Sequence, residues 1–395
     1  MQRRREFLKT GVVAAGGLAF GSAWWAEAVA RPARNGPGPY GPLNEPDANG
    51  LMLPDGFTSR VIARGGFPVG LSTYVWHLFS DGAATFATPD GGWILVSNSE
   101  VPAAGGASAI RFSPTGAIES AYRILSGTSV NCAGGSTPWG TWLSGEEHDE
   151  GEIWECDPTG ERSAKSRPAL GIFTHEACAV DPVDSRVYLT EDEGEGGLYR
   201  FTPRKYGDLR QGKLEIAMEP DGDGRVDWQR VPDPAAKTTP TRFQVPGSAV
   251  FKRGEGIFHD SGVIYVTTTR DSKIHAYNTR NRKIRVIYNP DKLKNPPLTD
   301  VDNICASRSG DLFVCEDNGS PDGIDIAIIT PGKRRRVARF LKATGSEHMN
   351  GLEDIASELT GVCFNPQGNR LYFASQRARL LGAVYEVSGP FRAAA

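Results

Sequence analysis

The sequence predicts an all-β protein, a six-bladed β-propeller, and two observations carry that prediction. An apolar strand, a tight turn, a second apolar strand and a polar or charged pair follow one another six times in the 395 residues. A third strand, opening on Gly, Ser or another polar residue, follows each copy. Strand repeats at such spacing are typical of propellers, in which radial stacking buries faces that no single sheet buries alone.

The fifth copy shows the pattern. Residues 304–306 form a short apolar strand, 307–310 a turn that ends on Gly, and 312–314 the second strand. Gly adopts the positive φ of such turns at little cost. The six copies span residues 86–100, 132–147, 176–192, 255–270, 302–317 and 359–376.

The segment 56–62 precedes the first copy and has no blade of its own. We expect it to supply the outer strand of the last blade and to close the ring. One propeller then covers residues 51–395, with a polar insertion at 202–247 beside the fourth blade and a Pro- and Gly-rich leader at 31–50. A β-sandwich, or two smaller β domains, is the alternative interpretation of the same strands.

Residues 1–30 are interpreted as an export signal. The run RREFLK at 4–9 is a twin-arginine motif, and AVA at 28–30 is a cleavage site. The apolar run 11–25 is too short and too rich in Gly and Ala to span a membrane. We expect the twin-arginine translocase to export the chain, with cleavage near Ala30. The mature protein is then periplasmic or extracellular, without stable membrane insertion.

The composition is that of an ordinary soluble protein, with 23% charged and 39% hydrophobic residues and a net charge of −3. Nothing in it favours nucleic acid, and the basic run 333–336 lies between two apolar strands as a solvated hairpin turn. We expect a monomer. Cys305 and Cys315 lie on adjacent predicted strands, where they either form a disulfide or fill the core. The run DGDGR at 221–225 lacks the final Glu of a calcium loop and is interpreted as a turn.

Acidic residues and one thiol begin and end the copies. Because the two ends of an antiparallel hairpin lie at the same edge, we expect these groups to meet. Packed carboxylates repel one another unless a cation lies among them, so the pattern predicts metal ions at one mouth of the axial channel. For any single acid, a solvated loop residue is the alternative. The candidates are Cys132, Glu146, Glu147, Glu176, Glu191, Asp192, Glu255, Asp302, Glu316, Asp317 and, slightly out of register, Glu358.

Two of the candidates have neighbours of interest. Cys132 begins its copy at the place where other copies carry Glu or Asp, and a thiolate there indicates a metal ligand. His175 adjoins Glu176, and either orients that carboxylate from behind or is a partly buried strand residue.

The stretch NCAGGSTPWGTWLSGEE at 131–147 resembles the signature of the PhoX-type alkaline phosphatases. The shorter runs FTHEA at 173–177, YLTED at 188–192, DN at 302–303 and ELTGVCF at 358–364 follow in the order of that family. The resemblance runs from about Leu53 to the C-terminus. The chain is similar to a short member of the family.

The resemblance implies a six-bladed propeller whose axial site holds two ferric ions and about three calcium ions. Such a cluster hydrolyses small phosphate monoesters with a bridging oxygen as nucleophile. By position, Cys132, Glu176, Glu255 and Asp302 would bind iron, and the remaining candidate acids would bind calcium or the bridge. Arg253 matches a family arginine that clamps the phosphate.

Departures from the family leave the substrate open. The chain is short, so the cleft is expected to be more open and phosphodiesters could enter. Gly145 stands where family members often carry Cys. Two alternatives use the same fold. A calcium-dependent lactonase-like enzyme explains the acids but neither Cys132 nor Arg253. A non-catalytic, calcium-stabilised binding propeller predicts calcium without iron and no turnover.

Overall fold

The computed structural model of the protein describes residues 32–317, 323–332, 335–349 and 357–393. The twin-arginine motif, the cleavage site and part of the basic run 333–336 lie outside these residues. Within them, no helix is long and apolar enough to cross a membrane. In the described parts of the chain, regular structure other than strands comprises a short helix, Ser346–Met349, and single 3₁₀ turns at Pro168–Leu170, Thr241–Phe243, Thr269–Asp271, Pro290–Lys292 and Ala378–Leu380.

The described strands form six sheets, the blades of a six-bladed propeller. Three strands precede the first complete blade: β1 (Arg34–Asn35), β2 (Leu51–Met52) and β3 (Thr58–Arg64). The first blade contains β4 (Ser80–Ala87), β5 (Trp93–Ser99), β6 (Gly106–Phe112) and β7 (Ile118–Leu125). The second contains β8 (Asn131–Ser136), β9 (Trp142–Glu146), β10 (Ile153–Cys156) and β11 (Lys165–Ser166). The third contains β12 (His175–Asp181), β13 (Arg186–Glu191), β14 (Leu198–Lys205), β15 (Asp208–Ala217) and β16 (Trp228–Arg230).

The remaining blades follow in chain order. The fourth contains β17 (Gly254–Asp260), β18 (Val263–Thr268), β19 (Lys273–Asn278) and β20 (Lys283–Tyr288). The fifth contains β21 (Val301–Ala306), β22 (Leu312–Glu316), β23 (Ile324–Ile329) and β24 (Arg336–Ala343), with β1 and β2 paired to its outer strand. The sixth contains β25 (Leu359–Phe364), β26 (Arg370–Ser375), β27 (Ala383–Ser388) and, as its outermost strand, β3.

The blades form a closed ring. The innermost strands β4, β8, β12, β17, β21 and β25 each contact the innermost strands of both neighbouring blades. The segment before the first copy completes the last blade, since β3 pairs antiparallel with β27 and places Val61 opposite Tyr385. The predicted fold and its predicted closure are both confirmed.

The apolar core is divided among the interfaces between blades. Among the described residues there are six buried clusters, one between each pair of neighbouring blades. Between the sixth and first blades, the buried Trp93 indole donates a hydrogen bond to Tyr372 at 3.1 Å. Each blade therefore buries its two faces only when both neighbours are in place.

The segment 202–247 differs from its expected form. Much of it completes the third blade, because β15 pairs with β14 and β16 pairs with β15. The run 221–225 is a turn, as predicted, in which the Asp221 carboxylate accepts hydrogen bonds from the amides of Asp223 (2.9 Å) and Arg225 (2.8 Å). This turn reaches the fourth blade through a 2.8 Å bond from the Ile284 amide to the Gly224 carbonyl.

All six cysteines are free. Cys305 and Cys315 are buried in the cluster between the fifth and sixth blades, so they fill the core. The leader is packed on the fifth blade, where the ring of Tyr40 lies 5.3 Å from that of Phe57 and 5.5 Å from that of Phe340.

Candidate metal centre

The first strand of every blade carries the same distortion. Its pairing with the second strand skips two residues, which is the mark of a β-bulge. A bulge bends the strand and re-aims a side chain, so one local feature presents an equivalent position from each blade. The first skipped residue in blades one to six is Asp81, Cys132, Glu176, Glu255, Asp302 and Gly361, respectively.

The sixth blade offers no side chain at this position. Gly361 has a φ of +63°, and a Cβ there would lie 2.7 Å from the carbonyl oxygen of Asp81. Glycine is therefore required where this blade meets the first one. The sixth blade contributes Glu358 to the site instead.

A second set of acids follows the second strands of four blades. The backbone amide of each donates a hydrogen bond to a backbone carbonyl oxygen in its own blade. That carbonyl belongs to the residue two places before the bulge position. The bonds join Glu100 N to Phe79 O (3.0 Å), Glu147 N to Val130 O (2.8 Å), Asp192 N to Thr174 O (3.2 Å) and Asp317 N to Asp300 O (2.7 Å). The two ends of each hairpin thus meet at one mouth of the channel.

Except for Glu176 and Gly361, these groups line an axial cavity of about 160 Å³. Its walls present eight carboxylates, one thiol and two guanidinium groups: Asp81, Glu100, Cys132, Glu147, Asp192, Arg253, Glu255, Asp302, Asp317, Glu358 and Arg377. Ligand atoms lie within 4.8 Å of one another in three groups. These groups are Asp81, Glu100 and Cys132; Cys132, Glu147 and Glu176; and Glu176, Glu255 and Asp302. Since neighbouring groups share Cys132 or Glu176, they form one continuous set of donors.

The acids are held in a strongly unfavourable environment for negative charge. Burial and, to a smaller extent, the nearby Glu100 carboxylate raise the pKa of Asp81 to about 8. Burial and the neighbouring carboxylates also raise the pKa values of Glu176 and Asp302 well above the ordinary range. Both carboxylate oxygens of Glu176 are buried without a hydrogen-bond partner. Buried carboxylate oxygens suit hard cations, such as calcium, and the neighbouring thiol suits a metal that also accepts a thiolate ligand.

Arg253 lies at the rim of the cavity. Its Nε and Nη2 atoms donate to the two oxygens of Asp192, each at 2.9 Å. Nη2 also lies 3.1 Å from Glu255 Oε1, and Nη1 lies 3.3 Å from Asp317 Oδ2. The hydrogen bond to Asp192 and the surrounding carboxylates raise its pKa, although burial lowers it, so the guanidinium stays charged. Its side chain is 39% exposed and so faces both the acids and the solvent.

The backbone explains how Arg253 reaches this place. Its φ of +53° is left-handed, which is unusual for a residue with a long side chain. Phe79, Val130 and Asp300 share this conformation, with φ of +48°, +46° and +41°. All four lie two residues before the bulge position of their blades. In these four blades the repeated strain therefore belongs to the geometry that turns the first strand into the site.

Comparison with known proteins identifies the family. A model described as "Alkaline phosphatase PhoX" matches residues 94–154, 148–288 and 285–378. The chain belongs to the PhoX family. No curated protein sequence matches the chain.

Two solved structures with TM-scores above 0.5 share the fold of this PhoX-family chain. Pseudomonas fluorescens PhoX, in complex with the transition-state analogue vanadate, is 15% identical, with a TM-score of 0.64 over 88% of this chain and 97% of that one. A protein of unknown function from Bacteroides thetaiotaomicron is 9% identical, with a TM-score of 0.51 over 84% of this chain and 76% of that one. Xanthomonas campestris XC5397, a gluconolactonase, is 14% identical, with a TM-score of 0.46 over 89% and 99%.

Three acids predicted as ligands do not enter the cavity of the PhoX-family site. Glu146, Glu191 and Glu316 are the last residues of second strands and point back into their own blades. Glu146 accepts a hydrogen bond from the Trp154 indole at 2.9 Å, and Glu191 accepts one from the Tyr199 hydroxyl at 2.7 Å. Glu316 accepts from the amides of Thr299 (2.8 Å) and Asp325 (2.9 Å). Neighbouring strand residues face opposite ways, so only one acid of each pair reaches the axis.

His175 does not orient Glu176 by a hydrogen bond, since both oxygens of that carboxylate lack a partner. Its Nε2 is bonded instead to the Gly171 carbonyl at 3.0 Å, and its ring lies 3.7 Å from that of Phe173. Burial lowers the pKa of His175 to about 3, so the ring is neutral at physiological pH. Its position is that of a core residue of the third blade.

Sequence reasoning missed three groups that line the cavity. Asp81 lies before the predicted first copy, which begins at residue 86, whereas β4 begins at Ser80. Glu100 ends that copy but is not among the predicted ligands, and Arg377 lies just beyond the sixth copy. Gln376 links the first two, since its amide donates to Asp81 Oδ2 and Glu100 Oε2, each at 2.5 Å. The polar triplet Ser80-Asp81-Gly82, set before an alternating strand, is the signal that could have found Asp81.

Proposed function

We propose that the protein is a metal-dependent phosphatase that hydrolyses phosphate monoesters at the axial cavity. Membership of the PhoX family supports the reaction class. The observation that carries the proposal for this chain is the set of five bulges, which brings four carboxylates and one thiol to adjacent positions on the axis. A structural cation site needs neither a thiol nor an arginine at its rim.

The donor set suggests which residues hold which metals. Cys132, Glu176, Glu255 and Asp302 would hold iron, because thiolate and carboxylate together suit that ion. Calcium prefers several carboxylate oxygens. The remaining acids of the cavity, which would hold it, are Asp81, Glu100, Glu147, Asp192, Asp317 and Glu358. When bound, about two irons and three calciums would supply neutralisation of phosphate charge and activation of the attacking oxygen.

The residues of the chain bind and orient the phosphate. Arg253 already holds Asp192 with two donors, which fixes the plane of its guanidinium. Nη1 makes only the longer 3.3 Å contact with Asp317, so this donor is the one available to a phosphate oxygen. A fixed donor aimed at the place where phosphate charge develops lowers the barrier without reorganisation.

We also propose that the twin-arginine route exports the chain, that it is cleaved near Ala30, and that it acts outside the cytoplasm as a monomer. The motif at 4–9 and the AVA site at 28–30 support the export route and the cleavage. Small phosphorylated compounds are the proposed substrates, and phosphodiesters are included because the chain is short.

The test combines elemental analysis with p-nitrophenyl phosphate turnover on the same sample. The protein for this sample is exported by its own signal at residues 1–30. We expect about two irons and several calciums per chain. Cys132→Ala and Glu255→Gln should each lose iron and activity together. Cys156→Ala is the matched control, since that thiol is buried in the outer part of the second blade and does not line the cavity.

Two results would contradict the proposal. Calcium without iron and without turnover would favour a binding propeller. Full activity in Cys132→Ala would favour a lactonase-like enzyme, whose calcium chemistry does not need the thiol.

A further inference from the structure

Apolar side chains are exposed mainly in one region of the surface. The described residues include nine large hydrophobic side chains that are exposed, and five of them come from two short segments. One segment is the loop 65–76 between β3 and β4, and the other is the turn 378–382 between β26 and β27. We call these five residues the apolar rim: Phe67, Leu71, Val75, Leu380 and Leu381.

The two segments form one ordered surface. The Gly65 amide donates to the Gly382 carbonyl at 2.9 Å, which joins the loop to the turn. Within the loop, the Trp76 amide donates to the Phe67 carbonyl at 2.9 Å, and the Val69 amide donates to the Tyr74 carbonyl at 3.0 Å. These bonds make a small hairpin whose tip presents the fully exposed Leu71.

The apolar rim is continuous with the axial cavity. Arg377 lines the cavity and lies three residues before Leu380. Its guanidinium carbon is 5.8 Å from the centre of the Phe79 ring. The Phe79 amide donates to the Leu381 carbonyl at 3.3 Å, and Phe79 itself lies two residues before Asp81. A path of direct contacts therefore leads from the cavity, past Arg377 and Phe79, to the apolar rim.

The backbone of the turn is strained. Arg379 and Leu380 have φ values of +50° and +72°, both left-handed. That conformation is rare for large side chains, and such strain is concentrated at functional sites. The side chain of Leu380 is 53% exposed. A turn selected only for stability would carry Gly or Asn at this position.

We propose that the apolar rim binds the apolar leaving group of an amphiphilic phosphate monoester, a linear alkyl chain, while its phosphate enters the cavity. This inference rests on the proposed phosphatase function. Arg377 lies at the boundary between the two regions, 3.1 Å from Glu358 Oε1 and 3.9 Å from Glu100 Oε2. A cation between a polar cavity and an apolar surface matches the junction of head group and tail in an anionic amphiphile.

The test measures kcat/KM for a series of alkyl phosphates from methyl to octyl, each below its critical micelle concentration. A half-buried methylene should raise kcat/KM about twofold, so that five methylenes on the rim give roughly 30-fold. In the triple variant Leu71→Ser, Leu380→Ser and Leu381→Ser, the ratio of octyl to methyl phosphate should fall towards one. Val183→Ser is the matched control, because Val183 is 73% exposed in the turn between β12 and β13. It should keep the wild-type ratio.

A binding experiment distinguishes this inference from the phosphatase proposal. Octyl phosphate and inorganic phosphate are titrated calorimetrically into wild-type and triple-variant protein. Tighter binding of octyl phosphate that the variant loses, without any turnover, would support the apolar rim and refute the phosphatase. If both proteins turn over substrate with the same ratio of kcat/KM for octyl phosphate to that for methyl phosphate, the proposal for the apolar rim is overturned. The phosphatase proposal would stand. A wild-type dimer that the variant dissociates in sedimentation equilibrium, with no chain-length effect, would also overturn it.

Discussion

The hydroxyl of Thr190 holds the bulge of the next blade in place, and its removal is a direct test of how the site is built. Thr190 is fully buried in β13 of the third blade. Its Oγ1 donates to the carbonyl oxygen of Glu255, the bulge residue of the fourth blade, at 2.5 Å. The same oxygen accepts from the Ala177 amide, in the bulge of its own blade, at 3.1 Å. The change to test is Thr190→Val, which keeps the shape and removes both bonds.

The expected loss of stability follows from the two backbone groups that lose their hydrogen-bond partner. The Glu255 carbonyl and the Ala177 amide would both be buried without a hydrogen bond, at about 1–3 kcal/mol each. The free energy of unfolding should therefore fall by about 2–6 kcal/mol. For a chain of this size that lowers the melting temperature by roughly 2–7 °C. Metal content should fall too, because the Glu255 backbone carries a candidate ligand.

Calorimetric melting and elemental analysis on the same preparations check both effects. Thr190→Ser keeps the hydroxyl and should retain both the metals and most of the stability. Thr267 offers an independent replicate, since its hydroxyl donates to the carbonyl of Asp302 at 2.7 Å. If Thr190→Val melts within about 1 °C of the wild type and keeps its metals, bonds between blades do not position the ligands.

Three further outcomes are expected. A Cβ on Gly145 would lie 2.8 Å from the Glu176 carbonyl oxygen, so Gly145→Ala should lower the free energy of unfolding in urea by about 1–3 kcal/mol; an unchanged midpoint would contradict this contact. Burial raises the pKa of Glu386, but Arg60 and Arg370 lower it overall, so its stabilising effect is present above pH 4.5 and is lost in acid. Glu386→Gln should therefore destabilise the protein at pH 7 and much less at pH 3, and an equal loss at both would exclude this ion pair. Burial raises the pKa of Asp81 to about 8, so in chelator-treated protein its contribution to stability is complete below about pH 4 and is lost as the pH rises through 8. The metal-free protein should therefore melt higher at pH 5.5 than at pH 8.5, whereas metal-loaded protein showing the same slope would place the cations elsewhere.

The fold was predictable because its signals are local. Each copy is recognisable from a turn, such as Ser307–Gly310, between two short apolar runs. Six such hairpins can bury their apolar faces in few arrangements other than a ring. The outer strands of the third blade carry no such signal. β15 is polar along much of its length, with the exposed run 210–213, and its strand form depends on pairing with β14. Pairing of that kind is decided by tertiary context rather than by propensity.

The sequence predicts that acidic side chains meet on the axis, but not which acid of each pair faces it. Paired acids such as Glu191-Asp192 show that a carboxylate reaches the axis, but a shift of one residue exchanges the two faces of a strand. The bulges set that register, because the two skipped residues decide which side chain of the first strand faces the axis. Contacts between blades, such as the Gln376 amide on Asp81, join residues far apart in the chain and have no local signature.

The pairing of β3 with β27 has a consequence for the order of events in the cell. Val61 is synthesised before any complete blade, whereas its partner Tyr385 follows the last copy of the repeat. The ring therefore closes only after β27 has been synthesised. A chain that stops before Ala383 would keep every candidate ligand, yet β3 would have no strand with which to close the sixth blade.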